Sequence, residues 1–553
     1  MKSLLISLIT GVLFFSSCIE EDTNTQIVQI QPVYPVLKSK DYNNILQLQV
    51  ILNDTLKITN IRKLVFSTGG TTNIADIESA TLFYTGDKDE LINEKSVLFS
   101  VTSEISSVIT FEGSLRLKPG KNYFMLSYRL KDDADILHHA GGSCLRAFTD
   151  HGEAVVRQSP GHKALRFGVA VRKHNDDGVD TYRIPGLIVT NRGTLISVYD
   201  IRRDSRRDLQ GNIDIGISRS TDGGNTWGPT ITALDMGEWG GLPQKFNGVS
   251  DACLLVDRNS GNIFVAGLWM HGVIDDNGKW IENLTDTSTA WNHQWRNRGS
   301  QPGFDVRQTS QFLIAKSSDD GLTWSEPVNL TRMCKKADWW LWAPAPGNGI
   351  TLEDGTLVFP TQGRDKTGEP FSNITYSSDG GVTWKTSAPA YTNTTECAVV
   401  QLDDGSLMLN MRNNRNRNNE GPDNGRAVAV TENLGKTWTM HPTSENTLIE
   451  PVCMASLYKH TYKYNDKSRS VLFFSNPSTK SGRHHITIKA SLDNGNTWPE
   501  KYQLLLDEGR GNGYSCLTGV DNDHIGILYE GSQADLVFQK IPIMDILKDL
   551  IYL

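Results

Sequence analysis

The stretch STDGGNTW, Ser220–Trp227, decides how most of this chain is read, because it is written five times. It returns as SSDDGLTW from Ser317, SSDGGVTW from Ser377, TENLGKTW from Thr431 and SLDNGNTW from Ser491. The pattern is S-x-D-x-G-x-T-W, and the fourth copy alone departs from it, with Thr431 and Asn433 in place of Ser and Asp. Asp-Gly, Asn-Gly and related pairs favour tight turns with positive φ, Ser and Asp side chains bond local backbone, and Trp supplies a large apolar anchor. The octet therefore does a structural job. Its copies start 97, 60, 54 and 60 residues apart. A period of that size, filled by short alternating strands, indicates four-stranded sheets repeated radially, a β-propeller. The wide first interval holds a Trp-rich insertion from His271 to Gly303, with Trp280, Trp291 and Trp295, and such insertions form loops that shape a binding face.

Upstream of the repeats the pattern changes. Leu46, Leu48, Val50 and Leu52 alternate with polar or opposite-face residues, as do Phe124, Leu126, Tyr128 and Leu130 after the turn Pro119-Gly120-Lys121. Period-two patterning between turn signals argues for an antiparallel β-sandwich. No octet occurs there, so this region reads as a separate domain. The expected organisation is all-β: a tether over 19–24, a β-sandwich over 25–134, a connection over 135–163 marked by HHAGG and SPGH, and a six-bladed propeller over 164–545.

The first residues, MKSLLISLITGVLFFSSCIEED, place Lys2 before an apolar run from Leu4 to Phe15 and then small residues and Cys18. The run is too short to span a bilayer and reads as the hydrophobic segment of a signal peptide over 1–18. Its Ser16-Ser17-Cys18 ending resembles a bacterial lipobox, which implies that Cys18 is lipidated and anchors an exported periplasmic or cell-surface protein. The net charge of −8 over 553 residues gives no global attraction to nucleic acid or acidic lipid. Cys144, Cys253, Cys334, Cys397, Cys453 and Cys516 are scattered in apolar contexts suited to free buried thiols. The chain has no CxxC and no Cys/His cluster, and His138-His139 and His484-His485 read as ordinary polar residues rather than metal ligands.

The octets resemble the Asp-boxes, or BNR repeats, of sialidases and of several unrelated propellers, so alone they indicate fold and not function. The residues between them narrow the resemblance to bacterial exo-α-sialidases, over about Leu165 to Leu536. TYRIPGLIV places Arg183 in that family's Arg-Ile-Pro signature, ahead of the first box. By the same resemblance Arg412 in SLMLNMRNNRN and Arg483 in SNPSTKSGRHH complete a triad that holds the substrate carboxylate. Guanidinium groups suit that task as permanently charged planar forks. A carboxylate nucleophile would be repelled by the carboxylate on the anomeric carbon, and sialidases use Tyr instead. The resemblance makes Tyr514 in GNGYSCL the nucleophile, Glu396 in TTECAVV its base, and Glu530 in GILYEGS the partner that holds Arg183.

The general acid lies within YDIRRDSRRDLQGNIDIG, which contains Asp200, Asp204, Asp208 and Asp214. Asp208 fits the family spacing best, with Asp204 the alternative. Arg203 resembles an extra arginine that contacts the sugar hydroxyls, and Asp251 in GVSDACLLVD matches a position lining the pocket or serves as a turn residue. Together these imply a retaining exo-α-sialidase acting on sialylated glycans as a monomer, with no metal or organic cofactor. A trans-sialidase using the same residues, and a propeller that binds sialic acid without catalysis, are the alternatives.

Overall fold

The period-two patterns fold as strands throughout. The computed structural model describes residues 21–548 except 55, 90, 158–163, 209–210, 242, 273–280, 282–292, 294–299 and 465–466. The expected signal peptide with Cys18, and Trp280, Trp291 and Trp295 of the insertion, lie outside the described residues. The chain divides into two units.

The N-terminal unit comprises, among the described residues, 21–31, 44–128 and 141–157. It is built on one nine-stranded sheet in the order Val97–Thr102, Ile77–Gly86, Lys121–Leu130, Asn43–Leu52, Glu21–Ile30, Gly152–Arg157, Ser143–Thr149, Asn60–Ser67 and Val108–Arg116. Leu46, Leu48, Val50, Phe124, Leu126 and Tyr128 are all buried. The sheet folds over until its end strands meet: a Cβ built on Gly113 would lie 3.0 Å from the ring of Phe99. Two expectations fail here. Residues 21–24 of the expected tether belong to the strand Glu21–Ile30. The expected connection over 135–163 contains Ser143–Thr149 and Gly152–Arg157, a hairpin that enters this sheet by parallel pairing with Glu21–Ile30. That pairing joins residues more than a hundred positions apart, and no local pattern announces it.

The second unit takes 32–43, 129–140 and 164–548 among the described residues. Among the described residues it carries five sheets. One of them, nine-stranded, holds two four-stranded antiparallel meanders joined by a parallel bridge between Ile213 and Gly248, with Gly347–Asn348 added parallel to Asn247–Val256. The inner strands contact each other in turn: Thr181–Val189 meets Asn247–Val256 and Ser515–Gly519, and Thr394–Gln401 meets Ser456–Tyr464. They therefore line a common centre, as in a propeller. The strand Leu165–Arg172 pairs antiparallel with Leu536–Pro542, so the start of this unit completes its last sheet. Apolar faces fill the space between neighbouring sheets, as where Ile188, Val198 and Ile215 pack with Leu254, Val265 and Trp269. Each such burial contributes about 1.5–3 kcal/mol.

Each octet forms the turn after a strand. Ser220 donates to Asp222 (2.7 Å) and accepts the Gly224 N–H (2.9 Å), while Asp222 accepts the Thr226 N–H (3.0 Å) and hydroxyl (2.6 Å). The deviant fourth copy keeps this geometry with an amide. Asn433 accepts the Thr437 N–H at 3.0 Å and donates to the Thr437 hydroxyl at 2.8 Å. Positive φ at Gly223 (69°) and Gly224 (96°) has its counterpart at Leu434 (54°) and Gly435 (72°). The expected buried Trp anchor is fully realised at Trp384 alone among the five, the other four being half-buried.

Candidate active site

Tyr514 opens the strand Ser515–Gly519, and its hydroxyl donates to Glu396 Oε1. Arg412 donates through one Nη1 to both groups, at 2.5 Å to Glu396 Oε2 and 3.1 Å to the Tyr514 oxygen. The guanidinium carbons of Arg183 and Arg483 lie 5.6 and 5.4 Å from the centre of the Tyr514 ring. Burial, and then the charge of Glu396, push the Tyr514 phenol well above its ordinary value, against Arg412 and Arg483. Arg412 is kept protonated by Glu396 despite its burial, and its Nε has no hydrogen-bond partner among the described residues.

Glu530 organises the other side of the Tyr. Its carboxylate, 1% exposed, accepts Arg183 Nε at 2.6 Å and the backbone N–H groups of Ile184 and Tyr514 at 2.9 and 3.0 Å. One buried anion thus fixes a side chain and two backbones from opposite ends of the unit. Burial alone would raise this carboxyl, but Arg183 and the two N–H groups hold it below the usual range. Ile184 stands at φ 61°, an uncommon conformation for a β-branched residue. It falls where the pairing of Thr181–Val189 with its neighbour slips between Arg183 and Gly186. Similar slips occur between Ser250 and Cys253, with Asp251 at φ 58°, and between Thr394 and Cys397, around Glu396. Such bulges re-aim a side chain out of the strand's alternation. Three of the expected site residues sit on them.

Asp208 lies beyond the strand Leu195–Arg202, its side chain 68% exposed, and accepts Arg202 Nη2 at 2.7 Å. Arg202 is fully buried and also binds Asp200 at 2.8 Å, while Asp200 accepts the Ser250 hydroxyl at 2.6 Å. Desolvation would raise the Asp208 carboxyl, and Arg202, Arg183 and Arg412 outweigh it and hold it low. Burial, followed by Glu396, Asp208 and Asp200, pushes Asp251 well up. Asp208, Asp251, Glu396, Arg412 and Tyr514 line one cavity of about 530 Å³, together with Gln362, Arg364, Asn393, Thr395, Asn414 and Arg417. Arg203 does not line it. Its guanidinium turns to Asp214, at 2.5 Å, whose carboxyl burial raises to about 6. Asp204 does not line it either.

Comparison with known proteins agrees with this geometry. Residues 184–502 match the family described as BNR repeat-like domain, and residues 24–142 match the N-terminal domain of BNR-repeat neuraminidase. A sialidase from Bacteroides fragilis is 40% identical over 541 residues, covering 93% of this chain and 94% of that protein. The chain belongs to the BNR-repeat sialidase family. Within the family, the structure of the Hadza microbial sialidase Hz136 matches with a TM-score of 0.84 and 38% identity, over 94% of this chain and 100% of that one. A leech intramolecular trans-sialidase, 17% identical with a TM-score of 0.56 over 92% of this chain and 98% of that one, shares the fold.

Against that family background, the residue the sequence reading missed is Arg202. Asp200 and Arg202 are two charged groups two positions apart in LISVYDIR, a strand otherwise buried throughout. A fully buried charged pair on one strand was the available signal.

Proposed function

We propose that the protein is a retaining exo-α-sialidase that removes terminal sialic acid by hydrolysis, with Tyr514 as nucleophile. The observation that carries this reading is the Tyr514 hydroxyl bonded to Glu396 beneath three guanidinium groups. Arg183, Arg412 and Arg483 hold the substrate carboxylate, which places the anomeric carbon over the Tyr oxygen. Asp208 protonates the glycosidic oxygen as its bond to carbon breaks, the Tyr514 oxygen forms the new bond, and the phenolic proton passes to Glu396. In the second step water attacks the same carbon and gives a proton to Asp208, while Glu396 returns its proton to the departing Tyr514. Two displacements retain configuration.

The charges suit this order of events. The free site holds Asp208 low through nearby arginines. A bound carboxylate neutralises part of that positive field, so the Asp208 carboxyl rises as substrate arrives and becomes fit to donate a proton. Arg202 positions Asp208 by a 2.7 Å bond from a fully buried site. Incubation with a 2,3-difluorinated sialic acid, which slows the second step, tests the assignment: the peptide containing Tyr514 should gain the mass of the sugar. An adduct on Glu396 or Asp208 would overturn it.

We also read the fold as a six-bladed propeller, counting the nine-stranded sheet as two blades, with the N-terminal unit as a sandwich made from one folded sheet. Export and lipidation at Cys18 rest on residues 2–22 of the sequence. Metabolic labelling with a fatty acid, abolished in Cys18→Ser, tests them, and equal labelling of the variant would sink them.

A further inference from the structure

A fully buried ion pair stands behind the site and takes no part in the chemistry above. The side chains of Arg426 and Glu450 are both 0% exposed and meet at 2.6 Å. Arg426 lies just ahead of the strand Ala427–Thr431, which pairs with Leu407–Asn413, the strand that carries Arg412. Glu450 lies on the segment that leads into Ser456–Tyr464, a strand of a different sheet. The pair therefore ties two sheets together next to Arg412.

Both members bond across that junction. Arg426 donates to the side chain of Asn410, two residues before Arg412, at 2.7 Å, and to the Cys453 carbonyl at 2.7 Å. Glu450 accepts the N–H of Asn413, the residue after Arg412, at 2.7 Å, and the Asn416 amide at 2.9 Å. Its backbone is held by Asn424, whose side chain accepts the Glu450 N–H at 2.9 Å and donates to the Glu450 carbonyl at 3.0 Å. The segment so fixed reaches the nucleophile, since Cys453 and Met454 share one buried cluster with Ile184 and Tyr514. The Cys453 thiol also lies 4.0 Å from the Asn512 carbonyl, which accepts Arg483 Nη1 at 2.8 Å. Between Glu450 and Cys453, Val452 stands at φ 54°, a conformation that a β-branched residue keeps only where its surroundings impose it. The bonds at Glu450 and at the Cys453 carbonyl flank it on both sides.

Stability alone is a weak reason for such a pair, because the attraction of two buried charges offsets their desolvation poorly. What the pair supplies is direction: charge-assisted bonds that fix the strand of Arg412 against the segment packed on Tyr514. We propose that Arg426 and Glu450 are positioning residues for the reaction, setting Arg412 in register with Tyr514 and Glu396. This rests on the sialidase reading. The test replaces both charges at once, Arg426→Gln with Glu450→Gln, so that neither ion is left buried alone. The readings are kcat and KM on sialyllactose, the melting temperature, and the affinity for a 2,3-dehydro sialic acid, an unreactive analogue that keeps the carboxylate. The folded double variant should lose about ten-fold or more in kcat/KM, because a misplacement of about 1 Å costs up to about 10²-fold, and should bind the analogue more weakly. Wild-type kcat and KM in a folded double variant would show that the pair serves the fold alone, and would overturn the proposal. Arg426→Lys, whose single amine cannot span Asn410, Glu450 and Cys453 together, is read in the same way should the double variant not fold. A wild type that binds the analogue and cleaves no sialoside overturns the sialidase reading. The analogue then decides the pair separately, and equal affinity in wild type and variant overturns it as well.

Discussion

Asp222 and Glu530 are both carboxylates that accept backbone N–H groups, yet they hold the molecule together at different ranges. Asp222 bonds Thr226, four residues away, at a half-exposed turn, and the same arrangement recurs in four further octets. Glu530 is buried and bonds Arg183 and Ile184 nearly 350 positions away. The octet network closes on itself, so it tolerates the exchange of Asp for Asn at position 433. The Glu530 network is shared among three segments, and losing one member leaves charges buried without a partner. Repetition thus marks what builds the fold, and the residues that break the repetition mark the site.

The largest effect should come from the site. Tyr514→Phe should lower kcat/KM on sialyllactose by about 10³-fold or more, roughly 4 kcal/mol of transition-state stabilisation, with a melting temperature near that of wild type. Retention of a tenth of the activity would remove Tyr514 as nucleophile. Asp208→Ala should cost about 10²-fold on sialyllactose and much less on an aryl sialoside, whose phenolate leaves without a proton. Equal losses on both substrates would contradict the acid assignment, and Asp204→Ala should lose little on either.

Next come the buried supports. Glu530→Gln should destabilise the protein by about 3–5 kcal/mol in urea unfolding, because Arg183 is left buried without its anion. The pH dependence has a definite sign. The Glu530 carboxyl is held below its ordinary value in the folded protein. The stability it confers is complete above the unfolded value of about 4.3 and is lost as pH falls through the folded value. Below about pH 4.3 the wild type should therefore lose stability more steeply than Glu530→Gln, and parallel curves would show that the ion pair contributes nothing. The smallest effects belong to the octets. Asp222→Ala should cost about 1 kcal/mol of stability with kcat unchanged, and Asn433→Asp should shift stability by no more than about 0.5 kcal/mol. A loss of activity in either would break the division between fold and site.

Much of this was legible in the sequence because the carriers are local. The octets announce their own turns, and Arg183, Arg412, Arg483, Glu396, Tyr514 and Glu530 each sit in a short motif that the fold then brings around one Tyr ring. Arg203 turns to Asp214, while its neighbour Arg202 holds Asp208. Arg202 and Arg203 are adjacent and point to opposite faces, and Leu195–Arg202 is buried on both, so no alternation tells which of the two reaches Asp208. The boundary near residue 135 failed similarly, since the hairpin over 143–157 finds its sheet through a partner at the other end of the domain. Bulges at Arg183, Asp251 and Glu396 leave no sequence signature at all, although they aim the side chains.

The most direct test of the central claim follows, by NMR, the methylene protons beside the proton-free anomeric carbon of sialic acid as the protein cleaves α2,3-sialyllactose. A Tyr514 nucleophile requires two displacements, so the α-anomer of free sialic acid should appear first and convert to the β-anomer only by slow mutarotation. First appearance of the β-anomer would mean a single displacement by water and would contradict the account.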